Sequence, residues 1–364
     1  MRIQDVARII EELAPLAHAE DFDNVGLLVG NPQNEVTGIL VTLDTLENVV
    51  DEAIEKGRNL IVSFHPIIFM GLKRLTGANY VERAVIKAIA NNIAIYSIHT
   101  ALDNNQFGVN RKICEVLGIQ NPEILIPKKN TLKKLTTYAP QKDAETLKQA
   151  LFNSGAGNIG KYSHCSFSTE GLGSFKAEEG ANPTLGEIGK THFENEVQIN
   201  VVFSFEKENQ VVKALLENHP YEEVAYEIYS MDNPNSKMGM GMVGNLKEEM
   251  DVDLFLSSVK QKMNVPSIRH SQFLKKKIKK VAVLGGSGGF AIGAAKKVKA
   301  DVFLTADLKY HQFFEAENQI VLADIGHFES EQFTKDLLVD YLKKKIPNFA
   351  VALSESITNP IKYL

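Results

Sequence analysis

Ile95-Tyr-Ser-Ile-His99-Thr-Ala-Leu-Asp103 and Val321-Leu-Ala-Asp-Ile-Gly-His327-Phe-Glu-Ser-Glu331 lie almost the length of the chain apart and share one layout. Each is an apolar, β-branched run that stops at a histidine, with a carboxylate four residues later. A third run, Leu60-Ile-Val-Ser-Phe-His65-Pro66, ends the same way. Apolar runs this short read as buried strands. Imidazole and carboxylate at the ends of buried strands are the donors a divalent metal takes. Three such ends in one chain suggest a single shared metal site.

Working outward, the chain to about residue 125 alternates helix and strand. Ile3, Val6, Ile9, Ile10 and Leu13 fall on one helical face. Strands are expected over 37–43, 59–63 and 93–98, with helices over 46–56, 80–91 and 108–117; Gly57 and Gly118 close the first and last of these helices. From about 240 the plan recurs, with strands at 279–284, 301–305 and 319–325, helical segments at 290–298 and 311–318, and a closing helix at 330–344. Aligning the two parts places 38–43 with 280–284, 59–63 with 301–305 and 93–98 with 319–325. This predicts a pseudo-repeat whose halves deliver ligands at the carboxyl ends of their strands. Near-continuous apolar strands between helices predict sheets covered on both faces.

The middle has another rhythm. Strands at 132–138, 162–168, 197–205 and 224–229 and helices at 143–153 and 210–217 give strand-helix-strand twice, the plan of a ferredoxin-like domain. Residues 171–189, rich in Gly, Pro, Asn and Thr, read as a loop. The expected fold is therefore α/β: a two-lobed pseudo-repeat domain formed discontinuously by 1–126 and 236–364, with an inserted α+β domain at 127–235.

Composition narrows the function. The 364 residues are 44% hydrophobic and 23% charged, enough for a full core. A net charge of −5 argues against nucleic acid as the partner. The one basic run, 275–280, directly precedes an apolar strand and reads as a solvated linker and strand start. The two cysteines, Cys114 and Cys165, make no CxxC pair or disulfide framework, which fits a reducing cytoplasm; Cys114 lies in a helical apolar pattern and is expected in the core. The first residues are amphipathic and unlike a signal peptide, and no apolar run approaches the length of a membrane span.

The candidate metal ligands are His65, Asp103, His327 and Glu331, with His99 and Asp307 close behind. The mixed N/O set is compatible with several divalent ions, Zn, Mn or Fe, one or two per chain. His18, His164, His192 and His270 read as structural hydrogen bonders. Gly285-Gly-Ser-Gly-Gly289 between a strand and a helix reads equally as an anion nest or a tight turn. His219-Pro-Tyr-Glu-Glu223 either faces the site or shapes a turn, and Asp21-Phe-Asp23-Asn24 either caps structure or touches ligand.

Five ordered segments, Asp23-Asn-Val-Gly-Leu27, His65-Pro-x-x-Phe69, His99-Thr-Ala-Leu-Asp103, His219-Pro-Tyr-Glu-Glu223 and Gly326-His327-Phe-Glu-Ser-Glu331, together resemble the GTP cyclohydrolase I type 2 homologues, also called the Nif-three-like proteins. The resemblance covers residues 1–364. It implies a dinuclear metal centre in an α/β domain, an insert similar to the PII/CutA-like trimerising fold, and a toroidal homohexamer. It also implies that residues matching His65, Asp103 and Glu331 hold one ion. The other ion is held by residues matching His327 and Glu331 and by the first histidine of a His-His-Pro motif. This chain reads Ser63-Phe64-His65-Pro66, so Phe64 stands where that histidine is expected, and phenylalanine cannot coordinate. The implied activity is hydrolytic ring opening of GTP or a nucleotide-like small molecule, with His99 orienting the ligand or acting as acid/base. A non-catalytic, metal-binding regulator or scaffold is the competing expectation.

Overall fold

The computed structural model describes residues 1–274 and 277–364, so the start of the basic run, Lys275 and Lys276, lies outside the described residues. The chain separates into two compact units, Met1–Pro127 with Lys237–Leu364, and Lys128–Ser236.

The first unit is mixed α/β with two sheets. One has the strand order Gly26–Val29, Ala94–Ser97, Leu60–Ser63, Ile39–Thr42, Val351–Leu353. All neighbours are parallel except Gly26–Val29, which runs antiparallel to Ala94–Ser97. The other has the order Arg269–His270, Val321–Asp324, Val302–Ala306, Ile278–Ser287, Gly239–Met250, Gln120–Pro127. Its middle three strands, Val321–Asp324, Val302–Ala306 and Ile278–Ser287, are parallel.

The apolar strand runs have a simple cause. Val41, Val62 and Tyr96 face one core, while Leu40, Ile61 and Ile95, one residue away in each strand, face another against Val49, Ala53 and Val85. Side chains alternate along a strand, so a strand buried on both faces must be apolar throughout. The core that takes Val41 also takes Val281, Val302, Leu304 and Val321 from the second sheet. It is closed by the helix Ile3–Leu13, which buries Ile3, Val6 and Ile10, and by Cys114. Each such side chain contributes about 1.5–3 kcal/mol by leaving water.

Register then positions the site. Thr42 pairs with Ser63, and Ser63 with Ser97, so the chain leaves three neighbouring strands at one edge and delivers Asp44, His65 and His99 there. In the second sheet Ser287 pairs with Ala306 and Thr305 with Asp324, which delivers Ser287, Asp307 and His327 at one edge.

The second unit has one four-stranded sheet in the order Ser166–Lys176, Thr191–Ser204, Leu132–Pro140, Tyr226–Met231, with the helices Ala144–Asn153 and Glu208–Asn218. The expected strand at 162–168 begins instead at Ser166 and continues into the expected loop, pairing without interruption down to Lys176 opposite Thr191. Its residues are almost all exposed, so no alternation of polarity marks it. The expected helix at 311–318 is a 3-10 segment, Tyr310–Ala316. The described end of the basic run supplies a strand start, as expected: the strand begins at Ile278, and Lys279 Nζ donates to the Lys247 carbonyl in an exposed hydrogen bond. No helix among the described residues is long and apolar enough to cross a membrane.

Candidate metal centre

Each candidate histidine sits just past a strand end. His65 follows Leu60–Ser63, and its amide donates to the Leu43 carbonyl at 2.9 Å, which continues the parallel pairing by one residue. His99 and Asp103 begin and end a single helical turn after Ala94–Ser97. His99 has φ +23°, a backbone conformation rare for an L-residue and of the kind that clusters at working sites. His327 and Glu331 bound another single turn, His327–Glu331, entered through Gly326 at φ +88°.

Donor atoms of His65, His327 and Glu331 all lie within 4.8 Å of one another. His65 Nε2 is 3.0 Å and His327 Nε2 3.2 Å from Glu331 Oε2. Although both rings are this close, Oε2 is buried and has no hydrogen-bond partner among the described residues, so the rings are not aligned to donate to it. Atoms that converge without bonding to one another are placed as donors around a common point. Asp103 is outside this trio but lines, with His327 and Glu331, a cavity of about 260 Å³, and its Oδ1 is likewise buried without a hydrogen-bond partner among the described residues. Phe22, His99, Gly286 and Phe290 also line that cavity; Phe22 and Phe290 are exposed and form its apolar walls.

The electrostatics match a site for a cation. Burial opposes a charge on His65, but Asp44 and Glu331 outweigh it and hold the imidazole pKa up at about 10. Burial likewise opposes the charge on His327, and Glu331 and Asp307 raise its pKa to about 9. Burial alone would raise Glu331, yet His327 and His65 pull it down to about 2. Asp103 is pushed well above the usual carboxylate range by burial and then by the charge of Glu331. Two carboxylates sharing one enclosed place repel unless a proton or cation intervenes. A dication can take the place of the protons, since a ligating imidazole must be neutral.

The outer nitrogens are tied down. Nδ1 of His65 donates to Asp44 at 2.8 Å, Nδ1 of His99 to Asp23 at 2.8 Å, and Nδ1 of His327 to Asp307 at 2.6 Å. Asp307, a near candidate for a ligand, therefore bonds to a ligand candidate instead. Asp23 both caps and orients: it also accepts from the amide and hydroxyl of Thr100. Asp44 was absent from the sequence reading, although a carboxylate just past a buried strand was the available signal.

The glycine-rich segment belongs to the site for another reason. Gly285 N–H donates to Asn110 Oδ1 and Gly286 N–H to Ser330 Oγ, both at 2.9 Å, so these two amides are not free to cradle an anion. Gly286 has φ +70°, and a Cβ there would overlap Glu331 Oε1. His219 lies in the second unit: Nε2 donates to the Tyr138 carbonyl and Nδ1 accepts from the Tyr221 amide, which supports the turn-shaping reading.

The family profile Duf34/NIF3 (NGG1p interacting factor 3) matches residues 1–360. A Bacillus subtilis protein named GTP cyclohydrolase 1 type 2 homolog is 39% identical, the match covering 99% of this chain and 98% of the relative. The crystal structure of a Bacillus cereus protein related to NIF3 superposes with a TM-score of 0.86 at 36% identity, covering 100% of this chain and 99% of that one. A Staphylococcus aureus protein gives a TM-score of 0.80 at 31% identity, with the same coverage. With these matches running through both units and through every segment that carries the site, the chain belongs to the Duf34/NIF3 family.

Proposed function

We propose that this chain holds one divalent ion, Zn, Mn or Fe, through His65 Nε2, His327 Nε2 and Glu331, with Asp103 as the further acidic donor. On this reading it acts as a metal-dependent hydrolase-like protein on a nucleotide-like small molecule. The observation that carries it is the convergence of two imidazole nitrogens on a buried carboxylate oxygen that has no hydrogen bond of its own among the described residues. Two imidazoles and two carboxylates fit one dication. When bound, such an ion polarises a substrate oxygen and lowers the pKa of water.

The chain's own residues supply the rest. His99, its Nδ1–H committed to Asp23, presents Nε2 as the atom that takes or gives a proton at the substrate. Phe22 and Phe290 line the cavity and offer apolar faces to a planar ligand. The name borne by the relatives, GTP cyclohydrolase 1 type 2 homolog, makes GTP the first substrate to try.

A second ion does not fit equally well. Phe64 is fully buried, and its ring centroid lies 4.9 Å from that of His65 and 5.5 Å from that of His99. It places hydrocarbon where the resemblance expects a donor. This favours, as the second reading, a metal-binding regulator or scaffold that does not turn over substrate. Both readings keep the two sheets as a duplicated lobe, the insert as ferredoxin-like, a toroidal homohexamer and a cytoplasmic setting.

Elemental analysis of anaerobically purified protein is expected to show about one ion per chain, lost in Glu331→Ala. GTP turnover is then assayed with Zn, Mn, Fe and Mg. Turnover lost in His99→Ala supports the hydrolase. Bound metal with no turnover across the series moves the reading to the regulator. Wild-type metal content in Glu331→Ala overturns both. Light scattering tests the hexamer.

A further inference from the structure

We propose that three hydroxyl–carboxylate–imidazole relays set the site, and that one of them, Thr358–Asp44–His65, makes the segment after the last strand part of the metal centre. This rests on the metal reading above.

The arrangement recurs at His65, His99 and His327. Thr358 Oγ donates to Asp44 Oδ2 at 2.7 Å, and Asp44 Oδ1 accepts from His65 Nδ1 at 2.8 Å. Thr100 Oγ donates to Asp23 Oδ2, and Asp23 Oδ1 accepts from His99 Nδ1. Ser287 Oγ donates to Asp307, which accepts from His327 Nδ1. His164, His219 and His270 bond to a serine hydroxyl or to main-chain groups instead.

A hydroxyl has one proton to give. Spent on the carboxylate, it fixes that carboxylate's rotamer, and the carboxylate then fixes the ring and its tautomer. With the proton held on Nδ1, Nε2 keeps the lone pair that an ion needs, and the ring becomes a better donor. Asp44 and Thr358 are positioning residues, acting through His65.

The Thr358 relay is the informative one because its hydroxyl comes from far along the chain. Residues 354–359 are fastened at three places. The hydroxyls of Ser354 and Ser356 and the amides of Glu355 and Ser356 donate to Glu52. Thr358 reaches Asp44. Asn359 Nδ2 donates to Glu329 Oε1 at 2.9 Å, on the helical turn that carries His327 and Glu331. The segment thus holds the turn that carries His327 and Glu331 directly, and reaches His65 through Asp44.

The test is Zn(II) affinity of the full chain by competition with a chromogenic chelator, alongside thermal unfolding of each variant. Losing a hydrogen bond that holds a metal-binding ring in place weakens metal binding by about 10–100-fold. Asp44→Asn is expected in that range. Thr358→Val, which keeps volume and removes the hydroxyl, is expected near the lower end, about 10-fold. Thr358→Ser is expected to restore wild-type affinity. Wild-type affinity in both Asp44→Asn and Thr358→Val overturns the relay. So does a serine variant as weak as the valine one, which would assign the effect to methyl packing. His65→Ala and Glu331→Ala separate the two levels. If they also bind as wild type, the metal site itself is wrong; if they lose the ion while Asp44→Asn and Thr358→Val keep it, only the relay fails.

Discussion

Gly286→Ala tests the geometry of the centre without removing any donor. Gly286 lies one residue before the end of the strand Ile278–Ser287 at φ +70°, and an added Cβ would meet Glu331 Oε1 well inside contact, with His327 Cε1 at 3.5 Å. Two costs follow. An alanine held in the left-handed region costs about 1–2 kcal/mol. The carboxylate must also retreat by roughly half an ångström, beyond the about ±0.2 Å within which metal–ligand distances hold. Glu331 cannot swing into solvent without unburying a side chain that is 4% exposed, and its Oε2 would leave its place 3.0 and 3.2 Å from the two Nε2 atoms. The expected result is Zn(II) affinity lower by at least about 10-fold, or about 1.4 kcal/mol, in a chain that still folds. Chelator competition measures the first quantity and chemical denaturation the second. Wild-type affinity in Gly286→Ala would refute the placement of Glu331 as the shared donor.

Other outcomes follow from the same structure. Gly293→Ala is the matched control: its Cβ would meet open space on the exposed face of the helix Ile292–Lys297, so denaturation should show a gain of about 0.5–1 kcal/mol with metal affinity unchanged. Phe64→His should raise the bound metal from about one ion per chain toward two by elemental analysis; no increase would show that the second position needs more than the missing donor. For Glu52, burial acts to raise the pKa, but Lys56, Ser354, Glu355 and Ser356 lower it from 4.5 to about 2. A folded-state pKa below the unfolded one gives stability that is complete above pH 4.5 and is lost as pH falls toward 2. The displacement corresponds to at most about 3 kcal/mol, and screening around the part-exposed Lys56 reduces it. Glu52→Gln should therefore cost about 2 kcal/mol at neutral pH and nothing near pH 2, read from denaturation midpoints at both values.

The sequence by itself determined what a short window can carry. Alternating cores demand strands apolar on both faces, so 59–63, 93–98 and 301–305 were legible as strands. Each was followed closely enough by His65, His99 or Asp307 for a strand-end site to be expected. The one-residue change at Phe64 was equally plain, because a donor is either present or absent in the chemistry of a side chain.

Tertiary structure decided everything that depends on separation along the chain. Thr358 and Asp44 are 314 residues apart, and no local pattern links them. Gly286 looked like a turn or nest glycine until its neighbour Glu331 gave the reason for the missing Cβ. The strand Ser166–Lys176 is held by backbone pairing with Thr191–Ser204 while its side chains face solvent, so no hydrophobic period announces it. Periodicity reports which side chains leave water. The partner of a hydrogen bond and the void beside a glycine are fixed only when distant segments pack together, and it is the packing of two separate sheets on one core that brings His65 within 4.8 Å of His327 and Glu331.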